Sequence, residues 1–161
     1  EVEEAAAAGM VSAIGGILPC NDGYVAISPR EDVQWERWLG IMDNPAWAAD
    51  DRYSTRDARQ KNSPSLWKLL SEWSSNHSKH EIARWGQEQR IPCFPVNTVL
   101  DLFNDDQLAH REFFVEIEHP AAGALKYPGA PYKFSNTELP LAARPAPLLG
   151  EHNESILGKL E

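Results

Sequence analysis

The sequence predicts an α+β fold: a small antiparallel sheet with several packed helices, followed by an extended Pro-rich C-terminal segment. Three observations predict it. Asn21-Asp22-Gly23 is turn chemistry between two short apolar runs, which reads as a β-hairpin. Two later stretches, with Trp35, Trp38, Leu39 and Met42 and then Leu66, Leu69, Leu70 and Trp73, place apolar residues at helical spacing behind helix-start signals. From Pro128 onward, Pro131, Pro140, Pro145 and Pro147 follow one another without amphipathic period.

The elements follow in order. Residues 1–16 are acidic and Ala/Gly-rich and predict a linker. From Ile17 the chain runs strand, turn, strand, closing with Tyr24-Val25-Ala26-Ile27. Ser28-Pro29-Arg30-Glu31 predicts a capping box, with Ser28 as N-cap and Pro29 at the first helical position. The helix behind it turns Trp35, Trp38, Leu39 and Met42 inward and Glu36 and Arg37 outward. Asn44-Pro45 predicts a short helical restart, and the charged Arg52–Gln60 stretch predicts a solvated surface. Asn62-Ser63-Pro64 opens the second long helix. Ser78 with Glu81 forms a capping box for a shorter helix with Ile82 and Trp85 inward. The two prolines of Ile91-Pro92-Cys93-Phe94-Pro95-Val96 force an extended crossing of the core. Asn97 then caps Val99 to Phe103, and the alternation in Phe113–Glu118, the turn Pro120–Gly123 and the run Ala124–Tyr127 predict a second hairpin. A terminal helix is expected within Gly150–Leu157.

Composition narrows the function. A chain of 161 residues with 42% hydrophobic content and six Trp can bury one substantial core. Its formal charge of −9 excludes a nucleic-acid backbone or an anionic membrane as the main partner, since both would be repelled. No apolar run approaches the roughly 20 residues that span a bilayer. Cys20 and Cys93 are widely separated, with no His or Cys at metal-ligand spacing beside either, so no disulfide framework or zinc site is expected. A soluble protein of the reducing cytoplasm is the expectation. The acidic start is unlike a secretory signal, and Glu1, where a gene start would show Met, favours a fragment or processed product.

Motifs for chemistry are absent. No G-x-S-x-G or Cys-His signature, phosphate loop or dinucleotide fingerprint occurs. Most of the tryptophans lie on or beside helix stripes and read as core packing. His77, His80, His110 and His119 read as solvated residues beside a cap and a hairpin. Cys93, between two prolines, reads as a small buried apolar residue more readily than a reactive thiol. Asp22 reads as a turn former.

Several blocks nevertheless occur in a telling order: Gly16-Ile17-Leu18-Pro19-Cys20-Asn21-Asp22-Gly23-Tyr24, then Asn44-Pro45-Ala46-Trp47 with Asp51-Arg52-Tyr53, then Ile91–Val96, then Tyr127-Pro128-Gly129-Ala130-Pro131, then Ala146-Pro147-Leu148-Leu149-Gly150-Glu151-His152. Their succession, from Ile14 to Leu157, resembles the C-terminal portion of the class III CoA-transferases, the formyl-CoA, carnitine and bile-acid-inducible F types. The resemblance implies residues 1–16 as linker, 17–129 as the small α+β domain, and 130–161 as a segment returning to a large domain that is not in this sequence. It implies CoA thioesters and carboxylic acids as substrates of the whole enzyme, no tightly bound cofactor, no metal, and a homodimer of interlinked subunits. The family's catalytic aspartate would sit on the large domain, so no catalytic residue is expected here and the chain alone should be inactive. Gly15 and Gly16 match the glycine loop that closes over that aspartate, although oxalate-type transferases carry a longer glycine run. An α-methylacyl-CoA racemase shares the fold; there an acidic residue tends to close the strand after the Asp-Gly turn, where this chain has Ser28-Pro29. A stand-alone protein-binding module is the non-enzymatic alternative.

Overall fold

The computed structural model describes residues 16–137 and 145–158, and the fold is α+β. These residues form two compact units that divide between Val96 and Asn97.

The first unit is built on a three-stranded antiparallel sheet, β1 (Gly16–Cys20), β2 (Gly23–Ile27) and β3 (Cys93–Val96), with β2 in the centre. Cys20 pairs with Gly23 across the expected turn, and Gly23 takes φ 144°, which favours glycine. Leu18 faces Val25, and Ile27 faces Cys93; all four are buried, so one face of the sheet makes the core. Pro19 and Pro95 lie on the two edge strands, where a missing N–H interrupts no ladder.

Helices α1 (Asp32–Ile41), α2 (Arg56–Lys61), α3 (Ser63–Ser74) and α4 (Lys79–Glu88) complete this unit, with single 3-10 turns at Ala46–Ala49 and Asp51–Tyr53. α4 packs on β2 and β3, and α3 on β1. The predicted stripes are inward: Trp35, Trp38, Met42, Leu66 and Leu70 are buried, with Leu39, Leu69 and Trp73 partly so. On α4, Ile82 is buried, whereas Trp85 is only half-buried and Ala83 and Gly86 take the inner positions.

Three local expectations are corrected. The cap of α1 is Glu31 with Gln34, not Ser28 with Glu31. The Ser28 amide is spent on the Pro92 carbonyl at 2.8 Å, which prolongs strand geometry and delays the helix by a turn. The Arg52–Gln60 stretch is not all solvated, because Tyr53 and Arg59 are buried. In the second unit Thr98, not Asn97, is the N-cap, with Asp101 completing a capping box. The Ser78–Glu81 box forms as predicted.

The second unit contains α5 (Val99–Phe103), α6 (Asp106–His110), the antiparallel hairpin of β4 (Phe114–His119) and β5 (Gly123–Pro128), and α7 (Asn153–Leu157). Phe103 stacks on Phe114 at 4.4 Å, and Gly129 donates to the Phe113 carbonyl at 2.7 Å. None of its described residues is fully buried.

Candidate functional site

The site residues expected from sequence sit where the chain enters the sheet. Gly15 lies outside the described residues. Gly16 opens β1 opposite Ile27, and the next residue, Ile17, offers its carbonyl to the Trp67 indole N–H at 3.4 Å. β2 leaves this end through Ser28 and the buried Pro29, so no carboxylate closes the strand. At the opposite end, Asp22 accepts the Lys79 amide at 2.7 Å and Asn21 donates to the His77 carbonyl at 3.0 Å. Those bonds dock the turn on the start of α4, and Asp22 is structural.

The nucleophile candidates here are also structural. Burial pushes the Cys93 thiol up to about 12, and its Sγ lies 3.6 Å from the Ile82 carbonyl. Burial, then the Asp22 charge, pushes Cys20 up to about 11. Both are therefore protonated and weakly nucleophilic at neutral pH. Ser74 donates to the Pro19 carbonyl at 2.7 Å. Asp32 pairs with Arg59 at 2.6 Å, and Asp50 is held below the usual carboxylate range by its hydrogen bonds from Arg52. Among the described residues no three His, Cys, Asp or Glu side chains converge as metal ligands.

One constellation was missed from sequence. His77 lies 4.7 Å from the Trp73 ring and 5.2 Å from the Trp85 ring, at the wall of a cavity of about 300 Å³. The helical stripes account for both tryptophans, but His77 follows the end of α3 and gives no periodic signal.

The sequence relatives fix what this scaffold belongs to. The family model described as CoA-transferase family III matches residues 2–153. This chain belongs to CoA-transferase family III. Within the family it is 32% identical, over 83% of its own length, to the formyl-CoA:oxalate CoA-transferase of Streptomyces coelicolor, and covers 31% of that protein. It is 29% identical, over 91% of its length, to the human succinyl-CoA:glutarate CoA-transferase, covering 34% of it. A solved CAIB/BAIF family protein from Brucella suis superposes with a TM-score of 0.72 at 28% identity, over 91% of this chain and 37% of that one. The chain thus spans about a third of the length of the family relatives it matches.

Proposed function

We propose that this chain supplies the small domain and C-terminal segment of a class III CoA-transferase, which moves CoA between carboxylic acids through an aspartyl-acyl anhydride. The family match over residues 2–153 carries this reading. Residues 1–16 act as linker, 17–129 as the small domain, and 130–161 as the segment that returns to a large domain. CoA thioesters and carboxylic acids are the substrates, in line with the formyl-CoA, oxalate, succinyl-CoA and glutarate named for the relatives. The thioester supplies the activated acyl group, so the reaction needs no tightly bound cofactor.

In this division of labour the nucleophilic aspartate and most CoA contacts belong to the large domain. The protonated thiols of Cys20 and Cys93 and the paired carboxylates of Asp32 and Asp50 fit that assignment, and the isolated chain is inactive. Gly15 and Gly16 provide backbone that approaches the acyl-aspartate closely, because neither carries a Cβ. The strand end at Ser28-Pro29, without a carboxylate, favours CoA transfer over α-proton exchange. The exposed apolar residues of the second unit, Val99, Leu100, Leu149 and Ile156 among them, suit burial against the large domain and a second subunit of a cytoplasmic homodimer.

Two measurements test the proposal. Mass spectrometry after incubating the purified chain with acetyl-CoA is expected to show no covalent acyl adduct; an adduct would place the nucleophile in this chain. In the second, the matching segment of the Streptomyces coelicolor relative is replaced by residues 16–158 and formyl-CoA-to-oxalate transfer is assayed. Retained transfer is expected, and a folded, dimeric hybrid without transfer would refute the small-domain role.

A further inference from the structure

Three helices of the first unit end at one cavity of about 300 Å³. Past the end of α1 stands Asp43; the last turn of α3 provides Trp73, with His77 just beyond it; the last turn of α4 provides Trp85 and Glu88. None of these helices carries a basic residue in its last turn, so none offsets the negative end of its dipole from within that turn. The exposed carboxylates of Asp43 and Glu88 add to the same sign, and among the described residues neither has an ion-pair partner. Arg37 is the counter-charge to consider. Its guanidinium donates at 3.2 Å to the carbonyl of Gln89, the C-cap of α4, and so offsets that helix end; Arg37 itself does not line the cavity, and Asp43 and Glu88 remain unpaired among the described residues.

The walls are as specific as the field. Trp73 and Trp85 lie 6.4 Å apart at 50°, with His77 in contact with both. Indole faces attract cations through the ring quadrupole, and a planar, weakly hydrated cation stacks on them at little desolvation cost. Carboxylates beside such faces accept its N–H groups in pairs. An inorganic divalent cation would instead require a shell of oxygen ligands that aromatic walls do not provide. The net charge of −9 favours approach of any cation and disfavours anions.

We propose that this cavity binds a small guanidinium-bearing molecule, the planar group stacking on the tryptophans and donating to Asp43 and Glu88. The left-handed φ of 59° at Asp43 fits the idea, since it sets a carboxylate where helix C-termini ordinarily place glycine.

The test is isothermal titration of the whole chain with ethylguanidinium chloride, against ethylammonium chloride at matched ionic strength, and in an Asp43→Asn/Glu88→Gln variant. Both substituted residues are exposed, and Asn tolerates the left-handed backbone, so near-ultraviolet dichroism should confirm an unchanged fold. Expected are saturable ethylguanidinium binding at about 1–10 mM, weaker ethylammonium binding, and an affinity loss of about three- to tenfold in the variant. No saturable binding below about 50 mM would overturn the proposal, as would equal affinity for the two cations or an unaffected variant.

Discussion

Arg59 brings a charge into the core of the first unit, where it is 1% exposed. Its Nη2 donates to Asp32 at 2.6 Å, its Nη1 donates to the Tyr53 carbonyl at 3.1 Å, and its guanidinium lies 4.8 Å from the Trp35 ring centre. Asp32 itself is 74% exposed, so water screens the ion pair, and the side chain's stacking and carbonyl bonds hold most of the stabilisation. Arg59→Ala should therefore cost about 2–4 kcal/mol and Asp32→Ala about 1 kcal/mol or less, read from urea unfolding midpoints. Equal losses would show that the ion pair dominates. Nothing in the sequence marks Arg59, because its partner lies 27 positions away and it sits in a stretch with Arg56, Asp57 and Lys61. The tryptophans were legible as core because apolar residues at helical spacing declare a buried face, whereas a buried cation declares nothing until the fold supplies its partners. His77 was hidden because it follows the end of α3 and belongs to no periodic stripe.

At the scale of elements, local chemistry was legible and long-range competition was not. Ser78 caps α4 with Glu81 because every bond of that box lies within four residues. Ser28 offers the same pattern, but the Pro92 carbonyl, just before β3, takes its amide, and α1 starts later. Helix stops were obscure because α1 and α4 are followed by Asp43 and Arg90 at φ 59° and 58°, in the position where a glycine would have been the signal. The glycine that matters most inside a helix is Gly86. A Cβ there would lie 2.5 Å from the Cys93 Cβ and 3.0 Å from its sulfur, so α4 sits against β3 at a distance only glycine permits. Gly86→Ala gains about 1 kcal/mol of helix propensity and loses about 1–3 kcal/mol to overpacking against β3. Net destabilisation is expected in thermal melts, and the cost of Gly86→Ala should shrink in a Cys93→Gly background, which lacks the opposing Cβ although it is itself less stable. A stabilised Gly86→Ala single variant would mean that α4 and β3 are not held at this separation.

At the scale of the molecule, the two units differ in how they could persist in water. The first encloses a continuous core, from Leu18 and Val25 in the sheet through Trp38 and Leu70 to Ile82 on the helices. In the second no described residue is fully buried, and Val99, Leu100, Phe134 and Leu149 are 71%, 69%, 57% and 106% exposed. Both hairpins were legible from turn chemistry and alternation, but that difference was not, because the same apolar residues can pack within a unit or await a partner. From sequence, a C-terminal segment without its large domain is expected to be disordered, to exchange between dimers, or to form a new interface through Leu139, Leu141, Leu148, Leu149, Ile156 and Leu157. Leu139 and Leu141 lie outside the described residues, and the other four are exposed. A unit that buries so little apolar surface opens at small free-energy cost, since stability scales with apolar area removed from water. Hydrogen exchange on the isolated chain should accordingly show slow amides in β2, α3 and α4 and fast ones in β4, β5 and α7. Limited proteolysis should cut first beyond Asn97. Protection of the second unit equal to the first in a monomeric sample would contradict this, whereas protection that appears only with dimerisation would show that a second copy supplies the buried surface.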